Sequence, residues 1–278
     1  MVFKRQRTGS VVCPSCGNLV GVNDERCYNC GRWNPGLWGF TPLLRRLGND
    51  LGFTNLVTVT CAALFLAMLL TSGRGLRLVA GPMSFLVPSD VSMIIFGASG
   101  AYPVRVLGWW WTILSAGWLH ASALHILFNM LWIRQLGPAA GELFGPSRAV
   151  IIYVAAGAVG FAVSTIAGSA LTLGASAGIM GLLGALVRYG QRTGSSHIGS
   201  QAWTWALILF VFGFAMRGVD NWAHGGGFVG GYLAASVLDP LQREKPVHLV
   251  LALGSLGLTA LSIAASLLLG LSSLLGSR

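Results

Sequence analysis

Six stretches of the chain contain no Asp, Glu, Lys or Arg: 51–73, 106–133, 149–187, 193–216, 221–238 and 246–277. A helix that crosses a bilayer needs about 20 mostly apolar residues. Five of the stretches hold one such helix each, and 149–187 holds two, separated near Gly168 and Ser169. The pattern predicts seven spans, centred near residues 62, 127, 158, 183, 208, 230 and 260. The segment 74–105 is broken by Arg74, Arg77, Pro82, Pro88, Asp90 and Pro103. Its uncharged pieces, 78–89 and 91–104, are too short to span. They predict a long loop that rests on, or dips into, the membrane surface.

Composition agrees with this reading. Apolar residues make up 54% of 278, and charged residues only 9%, against roughly 25% in a soluble domain. A soluble enzyme would expose too much apolar surface, and a disordered chain needs the opposite balance. The net charge of +10 raises the question of nucleic acid until the charges are located. With the N-terminus in the cytoplasm, the inside segments hold Lys4, Arg5, Arg7, Arg26, Arg32, Arg45, Arg46, Arg134, Arg148, Arg188, Arg192, Arg243 and Lys245. The outside segments hold Arg74, Arg77, Arg105, Arg217 and Arg278. That bias is the signature of an N-inside, C-outside topology. The basic excess is thus mostly a topology signal; the expected partner is the lipid bilayer, and no nucleic acid is expected. Met1–Ser10 has no apolar core, so no cleaved signal peptide is expected.

The first residues carry different chemistry. Cys13-Pro14-Ser15-Cys16-Gly17 is followed, after ten residues (17–26) beyond Cys16, by Cys27-Tyr28-Asn29-Cys30-Gly31. Two CxxCG knuckles aim four thiolates at one point, which suits tetrahedral Zn²⁺. Two disulfides or a redox pair are the alternatives, and a reducing cytoplasm argues against disulfides. The expected site is a closed structural zinc ribbon, bound through Cys13, Cys16, Cys27 and Cys30. It supplies folding energy to a segment too small to have a core. Residues 1–36 form this head and 37–54 a linker, whose Arg45-Arg46 meets lipid headgroups. Cys61, in the first span, reads as a small buried residue.

Polar residues inside spans are costly, so they mark function. The second span carries His120, His125 and Asn129, the fourth opens on Gly174-Ala175-Ser176-Ala177-Gly178, and the sixth on Asp220-Asn221-Trp222-Ala223-His224. Arg188 lies twelve residues after Ser176, placing the hydroxyl ~18 Å above the inner boundary and ~12 Å below the outer face. Asp239 lies fifteen residues after His224, placing the imidazole ~8 Å below the outer face. A hydroxyl and a base at similar depth suit nucleophilic catalysis. Asp220 either shares a helix face with His224 or caps the span, and the site is read as a dyad. Gly174 and Gly178 also suit close helix packing, as do Gly227 and Gly231, which Gly178 is expected to face. His125 and Asn129 share a face and carry the donors of an oxyanion hole, or simply hydrogen-bond between helices. Arg134 suggests that the second span ends early, near Gly137-Pro138.

At these residues the sequence resembles the rhomboid family of intramembrane serine proteases. Three motifs carry the resemblance: His120-xxxx-His125-Ile126-Leu127-Phe128-Asn129, Gly174-Ala175-Ser176 and Ala223-His224-xx-Gly227-xxx-Gly231. It covers roughly residues 55–240 and implies an all-α polytopic membrane protein. A six-helix rhomboid core at 55–240 would be followed by a seventh transmembrane helix at 246–275 and preceded by the zinc ribbon. It implies Ser176 as nucleophile, His224 as general base, and Asn129, His125 and the Ser176 amide as oxyanion donors. No cofactor for catalysis is implied. The substrates would be transmembrane proteins, cut within or near the bilayer, and the location a bacterial cytoplasmic membrane. The chain departs from the family at three places: Thr112 follows Trp111, Ala177 follows the serine, and Met180 stands where an aromatic is common. The alternatives are a rhomboid-like protein that binds membrane clients without cutting them, a transporter or channel, and a metalloenzyme using His120, His125 and His224.

Overall fold

A computed structural model describes residues 5–14, 17–41, 47–76, 85–216 and 218–276. Cys16, Arg45, Arg46, Arg77 and Pro82, all used above, lie outside the described residues. Seven long helices form the bundle: α1 Phe53–Thr71, α2 Ala123–Phe144, α3 Pro146–Ala167, α4 Ser176–Thr193, α5 Ser196–Ala215, α6 Asn221–Val237 and α7 Pro246–Gly276. α1, α5, α6 and α7 lie within charge-free stretches, while α2, α3 and α4 run beyond theirs, over Arg134 and Glu142, Arg148, and Arg188 and Arg192. Four of them, α1, α3, α5 and α7, are long and apolar enough on their own to cross a membrane. The other three carry the polar motifs, which lower their hydropathy. With its apolar outer surface, this is an integral, multi-pass, all-α membrane protein.

Helix ends follow ordinary capping chemistry. Ser122 caps α2 by accepting from the His125 amide at 3.2 Å. Glu244 accepts from the Arg148 amide at 2.8 Å, placing a carboxylate at the positive end of α3. Arg148 in turn donates to the carbonyls of Asp239 and Gln242. The start of α3 is thereby tied to the chain that leaves α6.

The second span does not end at Gly137-Pro138. α2 continues through Pro138 to Phe144. Proline removes one intrahelical hydrogen bond, but the contacts beyond it offset the loss. Leu136, Ala140 and Phe144 are buried, and Gly137 and Gly141 let α2 press against Asp50 and Thr54 at the start of α1. Arg134 sits exposed on the helix surface.

The centre of the bundle is α3, α4 and α6. Glycines set their spacing. A Cβ on Gly227 would overlap the carbonyl of Ala177, one on Gly231 the carbonyl of Gly181, and one on Gly184 the carbonyl of Phe228. Backbones therefore touch between α4 and α6, as small residues permit in membranes. Gly178 does not take part, contrary to expectation. It faces α3, where the Tyr153 ring lies 2.6 Å from its would-be Cβ. Starting from Ala177, the α4 face toward α6 recurs at Gly181 and Gly184, one helical face over.

The loop before α2 folds back onto the core. Ser89 caps a short helix, Asp90–Ile95. Ser92 Oγ donates to the Met68 carbonyl at 2.9 Å, and Arg105 donates to the carbonyls of Thr165 and Ile166 at the end of α3. α7 packs against α3 and this loop. Ser262 Oγ donates to the Trp111 carbonyl at 2.7 Å, and the Trp111 indole donates to Ser266 Oγ at 3.1 Å.

The head forms a two-stranded antiparallel ribbon, β1 Ser10–Val12 with β2 Leu19–Gly21.

Candidate active site

The segment before Ser176 is extended, and the loop grips it. Ser99 and Thr172 exchange both backbone hydrogen bonds, at 3.0 and 2.8 Å. The amides of Ala101 and Tyr102 donate to the carbonyls of Ser169 and Ala170, and the Gly174 amide donates to Ala116. Gly174 has φ +133°, and a Cβ there would lie 2.7 Å from the His125 ring. Both facts require glycine. Ser176 then opens α4, where amides of the first turn have no partner within the helix.

His224 sits one turn into α6, 6% exposed. Asp220 settles the question left open by the sequence. Its carboxylate caps α6, accepting from the amides of Trp222 and Ala223 at 3.0 and 3.1 Å, and it also accepts from the Ser164 hydroxyl of α3.

Ser176, His224, His125 and Asn129 line one cavity of about 230 Å³. Its other walls are apolar: Met180 beside the serine, Phe128 and Trp132 from α2, and Ile208 and Phe212 from α5. Met180, where an aromatic is common, is buried against this space. A second cavity of about 50 Å³ touches Ser176, His125, Asp220 and His224 from the side of Gly218. Among the described residues, no hydrogen bond joins Ser176 to His224, and His224 Nδ1 is buried without a partner. Hydrogen bonds of this kind are often long in the substrate-free state.

The donors can be accounted for. Asn129 Nδ2 donates one hydrogen to the His125 carbonyl at 2.8 Å and keeps a second. His125 Nδ1 accepts from the Ala121 amide at 3.4 Å, which assigns the proton of the neutral ring to Nε2. That nitrogen lies 2.7 Å from the would-be Cβ of Gly174, and Ser176 Oγ lies 3.7 Å from the same point. The two groups face one small space.

The sequence did not show what His120 does. It is fully buried, its ring lies 5.1 Å from that of His125, and its Nε2 accepts from the Ala175 amide. It braces both the donor ring and the residue before the serine. The available signal was its spacing of five residues from His125, which puts the two on adjoining surfaces across a helix start.

Residues 107–240 match the family model described as Rhomboid domain. Over this segment, just under half of its length, the chain is similar to rhomboid domains. The matched segment runs from the end of the first loop to the end of α6 and includes every polar motif above. Among curated relatives, the rhomboid protease GluP of Bacillus subtilis is 33% identical over 150 residues, covering 53% of this chain and 29% of that protein. RHOMBOID-like protein 5 of Arabidopsis thaliana is 33% identical over 136 residues, covering 46% and 44%. Rhomboid-like protease 5 of Toxoplasma gondii is 31% identical over 217 residues, covering 73% and 23%. The chain thus spans less than half the length of each of these rhomboid relatives.

The head offers a metal site of its own. The Sγ atoms of Cys13, Cys27 and Cys30 lie within 4.8 Å of one another. Cys13 and Cys30 are 3.7 Å apart, close to the edge of about 3.8 Å for a zinc tetrahedron with Zn–S bonds of ~2.3 Å. The two knuckles are built alike: Gly17 and Gly31, both at positive φ, donate to the carbonyls of Cys13 and Cys27 at 2.9 Å. The residues present fit a thiolate-bound metal. Cys16 lies outside the described residues.

Proposed function

We propose that this protein is an intramembrane serine endopeptidase that cuts transmembrane proteins within or near the bilayer. One observation carries the reading: a hydroxyl, an imidazole and two sets of unspent donors line a single cavity inside an apolar bundle. In this reading Ser176 is the nucleophile and His224 the general base. His224 takes the hydroxyl proton as Ser176 Oγ attacks the peptide carbonyl. The developing oxyanion receives hydrogen bonds from Asn129 Nδ2, His125 Nε2 and the Ser176 amide. His224 then gives its proton to the leaving amine, and the C–N bond breaks. Water, for which the smaller cavity has room, adds to the acyl-enzyme with His224 again as base, and the acid product leaves.

The apolar walls from α2 and α5 suit a substrate that arrives as a membrane segment. A helix hides its carbonyls in hydrogen bonds, so that segment must unwind locally to be cut. Small side chains at the cut suit the limited volume.

Residues 55–240 would form the catalytic core, 246–275 an added helix, 37–54 a linker and 1–36 a cytoplasmic head, in a bacterial cytoplasmic membrane. Cys13, Cys16, Cys27 and Cys30 would hold Zn²⁺, which contributes folding energy and no chemistry to the cut.

The test is cleavage of a model single-span substrate in liposomes by wild type, Ser176→Ala and His224→Ala. Wild type should cut and both variants should lose essentially all cleavage. A fluorophosphonate probe should label wild type and not Ser176→Ala. Equal cutting by all three would refute the mechanism, and a folded wild type that neither cuts nor labels would point to client binding without proteolysis.

A further inference from the structure

The head exposes aromatic surface that its own fold does not use. Trp33 is 62% exposed, Trp38 56% and Tyr28 76%. The two indoles stand edge to face at 5.4 Å, so they form one patch. The loop that presents them is held in an uncommon shape. Asn34, Leu37 and Trp38 all have positive φ without being glycine, a conformation that is retained only when surrounding contacts fix it. Those contacts are present. The Asn34 side chain accepts from the Trp38 amide at 3.1 Å, the Asn34 amide donates to the Glu25 backbone carbonyl, and Gly36 is packed against the Val22 carbonyl.

Cations border the patch. Arg26 is exposed and pairs directly opposite Trp33 in an isolated bridge. Arg5 and Arg7 are exposed on the same head. Residues 1–54 carry seven Lys or Arg against three acidic residues. Of the three acids, Asp50 binds the amides at the start of α1 and Asp24 accepts from the Gly21 amide in a turn. Tryptophan and tyrosine beside arginine are the side chains that favour the headgroup layer of a bilayer, and basic residues draw such a surface to anionic lipid. The tether limits where the head can be. Eleven residues lie between Thr41 and Phe53 at the start of α1, at most about 43 Å of chain. Thr41, at the end of the patch's loop, therefore stays within that distance of the start of α1.

We propose that the Trp33–Trp38 patch, with Arg26 beside it, seats the head on the anionic lipid headgroups next to the bundle. The head then has a defined position at the bilayer surface. The proposal does not depend on the proteolytic reading.

The experiment uses the full chain in nanodiscs, either of phosphatidylcholine alone or with about a third phosphatidylglycerol. Amide hydrogen exchange is followed over residues 26–41. The expected result is slower exchange at 32–40 in the anionic discs, by about tenfold or more. Trp33→Ser with Trp38→Ser should remove that difference, and Arg26→Gln should reduce it by roughly fivefold, the share of one basic residue at such a surface. Identical exchange of wild type in both lipids would overturn the proposal without reference to any variant. So would protection that survives the double tryptophan change, or protection that arises only when a second protein is added.

Discussion

Gly227→Ala tests the link between helix spacing and chemistry. The new Cβ would lie 2.9 Å from the carbonyl carbon and 3.0 Å from the Cα of Ala177. Carbon atoms in comfortable contact sit about 3.5–4.0 Å apart. The Ala177 carbonyl oxygen is nearer still and overlaps the new Cβ, so α4 and α6 must separate locally by about one ångström. The strain falls at the reacting groups: Ala177 follows Ser176, and Gly227 lies three residues after His224. Overpacking costs about 1–3 kcal/mol, while alanine in place of glycine within a helix returns up to ~1 kcal/mol, so the net loss of stability is about 3 kcal/mol or less. A misplacement near 1 Å at reacting groups costs about 10²-fold in rate. The variant should thus remain folded and membrane-embedded yet cut a model substrate about a hundredfold more slowly. The assay pairs liposome cleavage with thermal unfolding in detergent. Gly254→Ala on α7 is the control, because its Cβ meets nothing within 4 Å; it should cut at the wild-type rate. Cleavage by Gly227→Ala within twofold of wild type would show that the α4–α6 spacing does not set the geometry of the dyad.

Other outcomes follow from the same structure. Gly174→Ala places a methyl group against the His125 ring at a backbone angle alanine avoids; fluorophosphonate labelling of Ser176 should fall by about 10²-fold or more. Asn129→Ala removes one oxyanion donor and should lower kcat by about 10²–10³-fold with little change in KM, measured on the model substrate. Chelation should release one Zn²⁺ per chain and expose the head to protease, with cleavage of a detergent-solubilised model substrate unchanged; loss of cutting would tie the head to catalysis.

Much of this architecture was legible because charges are scarce. Asp239 follows the end of α6 by two residues, whereas α4 runs five residues past Arg188 to Thr193, so only one of the two charges marks a helix end; Ser176 and His224 do line one cavity. The course of α2 past Pro138 was not legible, since the contacts that retain it lie in α1, eighty residues earlier in the chain. The glycine faces were only half legible. Gly227 and Gly231 face α4 as expected, but which α4 residues meet them depends on the rotation of that helix, and Gly178 turns to Tyr153 instead. Asp220 could cap or assist, and local sequence favoured neither; the amides of Trp222 and Ala223 and the hydroxyl of Ser164 decided it. The hydroxyls of Ser262 and Ser266 looked like ordinary small residues in an apolar helix until their partner, Trp111, was seen.

That last pair fixes an order of events during synthesis. Ser262 and Ser266 bind Trp111 across 151 and 155 positions of sequence. When the ribosome has made the loop and even the serine it supports, these partners do not yet exist. Contacts so distant in the chain are the slow ones to form. The loop completes its hydrogen bonds to Ser262 and Ser266 only once the final helix has been made, so the newborn bundle passes through a stage in which the earlier helices exist and this loop is still unlatched.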